Sequence, residues 1–274
     1  MAVKTLAVCI GDNCIDRYIL PRNGKYAGGN AVNTAIHMQN AGCPTAYIGA
    51  VGDDDDGSRL LQKLTERSLD TSHVQVFPGA TAFTDVSFSP EGERQFVFES
   101  SGPASQFSFS PELFRFIGTH TLVHNTWLGG TEKHLKDFKA IPGLRVSMDF
   151  GERYSQGFLD MCIPFVDLAF FSMSPALKEH APEFGQEMIK RGPEKVIVTL
   201  GYEGSMVFEK DGAAFFEPSQ TVEVVDTLGA GDTYIGTFLA HVVLGKSTPE
   251  CMKLATAAAA RTCTYFGGFE DSGI

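Results

Sequence analysis

Short apolar runs of strand length recur at 6–10, 45–51, 122–124, 144–149, 168–171 and 196–200, with stretches of helical length between most of them. Runs that are apolar throughout suit strands buried on both faces. Strands that alternate with helices need crossover connections, and those are met in parallel sheets covered by helices. The alternation therefore predicts an α/β fold: one domain over 1–274, with a doubly wound, mostly parallel sheet flanked by helices. Two segments break the pattern. Residues 81–88 and 94–98 alternate with period 2 and are joined by Ser89-Pro90-Glu91-Gly92-Glu93, which is hairpin punctuation. They predict a small sheet outside the main one. Residues 18–26 read as irregular, and 270–274 as a loose tail.

Composition removes some functions. A net charge of −11 over 274 residues opposes a nucleic-acid groove or an anionic membrane surface. No apolar run is long enough for a bilayer. The first residues enter a strand directly, without a signal-peptide pattern. Six cysteines without a CxxC pair read as reduced thiols. A cytoplasmic protein is expected.

One stretch carries chemistry. Residues 222–225 read as a short strand, followed by Asp226-Thr227-Leu228-Gly229-Ala230-Gly231-Asp232 and a helix from about 233 to 244. A strand, a glycine turn and a helix start present backbone N–H groups to an anion at the positive end of the helix dipole. The amides of Gly229, Ala230 and Gly231 are expected to be free for a phosphoryl group. Asp232 is expected to take the proton of an attacking hydroxyl. An ordinary helix cap is the competing reading of the same residues.

Upstream, the strand at 6–10 ends in Asp12, Asn13 and Asp16, where open α/β sheets gather their ligands. Gly28-Gly29 then opens a helix over 30–40. Asn30, Asn33 and His37 form one stripe of it, and Val32, Ala35 and Ile36 another. Gly28 and Gly29 allow close approach of a ligand, while Asn30 and Asn33 can give and accept hydrogen bonds to hydroxyls. The acidic run 53–56 fits a helix N-terminus better than a calcium loop, because Lys63 stands where the bidentate Glu belongs. His120 and His124 flank a strand and read as structural.

Asp226-Thr227-x-Gly229-Ala230-Gly231-Asp232 resembles the second signature of the ribokinase-like (PfkB) carbohydrate kinases, and Gly28-Gly29-Asn30-Ala31-Val32-Asn33 resembles the first. The resemblance runs over essentially the whole chain. It implies ATP-dependent phosphorylation of a sugar hydroxyl, with Mg²⁺ and a monovalent cation such as K⁺ as cofactors. It implies a β-strand lid from about 17–27 and 81–99, through which two copies make a homodimer. Asp16, helped by Asp12, Gly28, Gly29, Asn30 and Asn33, would hold the acceptor, and Arg94 on the lid would touch it. Thr199, Gly201 and Gly204 in Thr199-Leu200-Gly201-Tyr202-Glu203-Gly204 resemble the nucleotide-phosphate loop, to which Thr227 and Gly229 would add.

The sequence departs from the family at 172–177. That segment lacks the Asn-x-x-Glu motif associated with magnesium, so the metal ligands stay unknown. Within the family, the opening Thr-Leu-Ala-x-x-Ile-Gly-Asp-Asn-Cys-x-Asp and the compact length resemble the fructoselysine 6-kinases, which act on a ketose–amine adduct. Fructokinase or another ketose kinase is the alternative. A sugar-binding protein without catalysis is the reading from a different class.

Overall fold

The computed structural model describes residues 6–19, 24–88, 94–152 and 154–274. Its central sheet has eight strands. Six run parallel: β1 (Ala7–Ile10), β4 (Thr45–Ile48), β9 (Leu122–Thr126), β10 (Arg145–Asp149), β11 (Leu168–Ser172) and β12 (Lys195–Thr199). Two antiparallel strands, β13 (Ser205–Glu209) and β14 (Ala214–Glu217), finish one edge. The spatial order is β14-β13-β12-β11-β10-β9-β1-β4. The apolar runs follow from this: each parallel strand is covered on both sides, so neighbouring residues feed two different cores. On β1, Ala7 and Cys9 join one core, while Val8 and Ile10 join the other.

Helices α1 (Asn30–Asn40), α2 (Asp55–Glu66), α7 (Ala230–Val243) and α8 (Thr248–Thr262) cover the first face. Helices α3 (Pro111–Ile117), α4 (Leu135–Lys139), α5 (Gln156–Cys162) and α6 (Ala181–Lys190) cover the second. Asp54 caps α2 by accepting from Gly57 N–H at 2.9 Å, and it also accepts from the Thr81 hydroxyl at 2.6 Å. The acidic run is thus a helix start, as read from the sequence. Ser247 and Glu250 form a capping box at α8. His120 and His124 are buried, bonded to the Phe116 carbonyl and the Ser147 hydroxyl.

The second sheet has four strands in the order β3-β2-β7-β8: β2 (Cys14–Tyr18), β3 (Gly24–Gly28), β7 (Phe83–Phe88) and β8 (Arg94–Ser100). It is mixed, because β2 and β7 pair in parallel while the outer pairs are antiparallel. Much of the stretch read as irregular is therefore strand. Residues 20–23 and the loop 89–93 lie outside the described residues.

Three other expectations change. The run 45–51 breaks at Gly49, and β5 (Ala50–Gly52) leaves the main sheet to pair with β6 (Gln75–Phe77). Residues 222–225 form no strand. Val225 and Asp226 give their N–H groups to the Cys263 carbonyl just beyond α8, and Val224 and Val225 stay exposed.

The third concerns the carboxyl-terminal residues, which are docked and not loose. Ala27 N–H donates to Ser272 O at 2.8 Å, Ile274 N–H donates to Lys25 O at 3.0 Å, and Tyr26 bridges Gly273. An edge strand left bare would carry unpaired backbone groups, and the tail covers β3 for that reason. Removing 270–274 should cost about 2–3 kcal/mol for two backbone bonds and the uncovered edge. Thermal denaturation of the truncated chain should show Tm lower by roughly 5–10 °C.

Candidate active site

Parallel strands end together, so the carboxyl ends of β1, β9 and β10 bring their next residues to one edge. Asp12 follows β1, and its carboxylate accepts the Thr126 hydroxyl from the end of β9 at 2.8 Å. Its other oxygen accepts the Asn30 N–H at 2.7 Å. Asp12 therefore does the work of a cap for α1, whose N-cap residue is Gly29 with no side-chain acceptor of its own. Gly29 sits at φ 106°, and a Cβ there would meet the Asn13 backbone at 2.5 Å. Asn30 is the first residue of α1 and not its cap.

Asp16 lies on β2, buried, with a carboxylate oxygen 2.7 Å from where a Cβ on Gly28 would stand. Only a glycine at 28 leaves room for it. Asn13 is buried between Tyr47 and Ala50, donating to the Tyr47 hydroxyl and to the Ala50 carbonyl. The side chain of Arg94 lies outside the described residues, while its backbone begins β8.

Helix α7 starts at Ala230, three residues earlier than the periodicity predicts. Its N-cap, Gly229, is left-handed at φ 72° and packs so closely on Gly268 that a Cβ would meet Gly268 Cα at 2.6 Å. Asp232 is the third helical residue, in the turn whose N–H groups have no helical carbonyl partner. One of the amides expected to be free is engaged, since Ala230 N–H reaches the Thr227 carbonyl at 3.3 Å. That bond is long and readily exchanged for a phosphate oxygen.

Asn33 does not reach toward the pocket alone. Its amide donates to Asp232 Oδ2 at 2.8 Å, joining α1 to α7. His37, on the same stripe, turns inward. Its Nε2 lies 2.8 Å from the Thr233 hydroxyl and 2.9 Å from the Gly268 carbonyl, and burial lowers its pKa to about 4, so the ring is neutral.

Electrostatics single out Asp232. Burial raises its pKa to about 8, against the Asn33 hydrogen bond, and the charges of Asp149, Asp12 and Asp16 push the same way. Asp149, at the end of β10, is itself pushed up to about 6 by burial and by Asp12, although Gly151 N–H donates to it. Burial also raises Asp12. Among the described residues no Lys or Arg forms an ion pair with Asp12, Asp149 or Asp232. Asp12, Asp149 and Asp232 thus form a cluster of carboxyls whose proton affinity is raised by burial.

Farther along the edge, Thr199 ends β12 with its hydroxyl 3.1 Å from that of Ser172. Gly201 (φ 55°) and Gly204 (φ 111°) shape the turn after it, closed by Leu200 N–H to Gly204 O at 2.8 Å. A Lys178–Glu203 pair at 2.8 Å ties that turn to the 172–177 segment and its sequel. Thr227 is exposed in the loop before α7.

Three contributors had little or no signal in the sequence. Thr126 follows its strand without a motif. The Gly267-Gly268 corner closes under α7 from the far end of the chain. Tyr18 on β2 donates to Asp226 Oδ2 at 3.1 Å, and Asp226 also accepts from Leu228 N–H and Gly267 N–H. No group of three or more His, Cys, Asp or Glu side chains among the described residues makes a metal cage. No described helix is long and apolar enough to cross a membrane.

The model of the pfkB family of carbohydrate kinases matches residues 4–122 and 168–272. A fructoselysine 6-kinase of Shigella flexneri is 36% identical over 269 residues, 97% of this chain and 100% of that protein. A fructosamine kinase FrlD of Bacillus subtilis is 28% identical, covering 96% of this chain and 92% of its own length. Among solved structures, Arabidopsis thaliana ribokinase with ribose and ATP superposes with a TM-score of 0.83 at 20% identity, over 97% of this chain and 94% of that one.

The raised carboxyl at 232 has a signed consequence. The folded protein holds that proton up to about pH 8, whereas an unfolded aspartate releases it near 4. Between those values the folded state binds more protons, so this group makes stability fall as pH rises. Asp232→Asn removes that slope, so its Tm should exceed the parent's by more at pH 8 than at pH 5 in parallel melts. Gly229→Ala should act oppositely, lowering both Tm and turnover, because the Cβ strains the left-handed cap and strikes Gly268.

Proposed function

From the premise that this chain belongs to the pfkB family of carbohydrate kinases, we propose that it transfers the γ-phosphoryl group of ATP to the terminal hydroxyl of a ketose–amine adduct of the fructoselysine class, with Asp232 as base. The observation that carries the chemistry is the place of that carboxylate: third residue of α7, beside a glycine turn, with its pKa raised to about 8. A general base serves best when its pKa lies near the working pH.

The acceptor oxygen gives its proton to Asp232 as its bond to the γ-phosphorus forms. The bond from that phosphorus to the bridging oxygen breaks, and ADP leaves. Asn33 keeps one carboxylate oxygen occupied, so the other is the one aimed at the hydroxyl. The amides of Gly229, Ala230 and Gly231 meet the charge on the transferring group. Asp12, Asp16, Gly28, Gly29 and Asn30 hold the acceptor, joined by Arg94 from the lid. Thr199, Gly201, Gly204 and Thr227 place the nucleotide.

Magnesium, when bound, neutralises the phosphates. Asp149, buried at the end of β10, would be a carboxylate able to help hold it, with the remaining positions left to oxygen ligands of the kind this ion prefers. The resemblance also implies a monovalent cation, so assays belong in potassium and in sodium.

The substrate class follows the sequence similarity, and the carboxylate pool supports it. A neutral sugar does nothing for like charges held together, whereas an amine adduct brings a cation. The lid also fits a homodimer contact, since Val97 and Phe98 are 59% and 55% exposed on it. Phe98→Asp should turn a dimer into a monomer in sedimentation. ATP as substrate and six unpaired thiols suit the cytoplasm.

A coupled ATPase screen of fructoselysine, fructose, ribose and nucleosides tests the reading. Fructoselysine should give the highest kcat/KM. A preference for a neutral sugar would reject the substrate class. Asp232→Asn should lower kcat by on the order of 10²-fold or more while acceptor affinity changes little. For the parent enzyme, kcat/KM should fall as pH drops below about 8.

A further inference from the structure

A cavity of about 240 Å³ opens beside the carboxylate pool, on the side away from the nucleotide loop. Its walls come from the ends of β1 and β4, the turn after β8 and the loop after β9. They include Asp12, Asn13, Ala82, Ala104, Phe107 and Leu128. Sheet order fixes its direction. The nucleotide loop follows β12 and Asp149 ends β10, while the cavity sits over β9, β1 and β4. Asp12 belongs to both regions, since it lines the cavity and acts on the proton affinity of Asp232. An acceptor with its reacting hydroxyl at Asp232 therefore points its other end into this space.

The lining is unsuited to a second sugar. Hydroxyls on every side of a ring need polar partners, and away from Asp12 and Asn13 the only side chain here with a polar group is Ser101. Ala50, Ala82, Ala104, Phe107 and Leu128 are apolar, and Gly11, Gly49, Gly129 and Gly130 offer backbone alone. It suits a chain of methylenes. We propose that the cavity receives the alkyl chain on the nitrogen of the ketose–amine adduct, with the secondary ammonium beside Asp12 at its inner end. Ala104, Phe107 and Leu128 are then the residues that set chain-length specificity. This rests on the fructoselysine-class reading and adds where the amine substituent lies. Leu128 is 47% exposed and Ala104 is also exposed, so changes at either can alter the mouth without disturbing the core.

The test is a series of fructosamines carrying methyl, propyl and butyl groups on nitrogen, together with the lysine adduct. Each methylene removed from water is worth about fourfold in kcat/KM. The parent enzyme should therefore favour butyl over methyl by more than about tenfold. Ala104→Phe fills the mouth and should reduce that ratio to about threefold or less, and Leu128→Ser should reduce it in the same direction. The ratio is taken within one protein, so a general loss of folded enzyme cancels. Equal kcat/KM across the series in the parent, with every adduct phosphorylated, would overturn the cavity assignment and leave the substrate class standing. A ratio that stays above tenfold in both variants would overturn the assignment to these walls. Phosphorylation of fructose with no adduct accepted would overturn both.

Discussion

Four carboxylates converge where a sheet edge meets a helix start, and the rest of the site is arranged around the cost of holding them there. Burial disfavours the charged forms of Asp12, Asp149 and Asp232 in a partly dry pocket, and the charges of Asp12, Asp16 and Asp149 add to the proton affinity of Asp232. Isolated, such a cluster would neutralise itself by taking up protons. It persists because each member found a donor or a fixed place: Asp12 has the first amide of α1 and a threonine, Asp149 has Gly151, and Asp232 has Asn33. The remaining demand is for positive charge, which a metal–nucleotide complex and an amine-bearing acceptor would both supply. The strain in the unliganded protein is thus the same quantity that favours binding.

The scaffold around that pool is rigid where it carries the reacting groups. Helices α1 and α7 are joined three ways: Asn33 to Asp232, His37 to Thr233, and both helices onto the Gly267-Gly268 corner. Glycine at 229 and 268 lets two backbones approach more closely than any side chain would permit. The lid sheet is tied into the same assembly. Tyr18 on β2 reaches Asp226, and β3 accepts the carboxyl-terminal residues along its edge. One end of the chain therefore supports the second sheet and the glycine turn before α7 together. That dual role gives a physical reason for a tail that folds back.

Much of the architecture was legible because it is periodic. Parallel strands covered on both faces must be apolar throughout, and five such runs announced strands of the main sheet within a residue or two, while the run 45–51 overran β4 by three. Helix α1 was read at its observed limits, since a glycine pair and an asparagine mark its start. Asp12 and Asp232 were singled out from their place after a strand and a glycine turn, where local rules apply, and the structure brings them close enough for the charge of Asp12 to act on Asp232. What stayed hidden depended on partners distant in sequence. Residues 222–225 look like a strand and are not, because their backbone bonds to the residues that follow α8. Residues 270–274 look free and are not, because β3 needs an edge partner.

The sequence by itself determined the fold class and the start of α1, and it singled out the glycine turn before α7, because runs of strand length and glycine pairs are local patterns. Only the tertiary structure decided that Asn33 serves Asp232, that Asp12 caps α1, and that Asp12, Asp149 and Asp232 share a site without an ion pair to Lys or Arg among the described residues. It also revealed a cavity lined by Asp12 and Asn13. Those facts concern groups separated by 18 residues of chain for Asp12 and Asn30 and by 199 for Asn33 and Asp232, and proton affinity, charge balance and empty volume exist only once the groups have met.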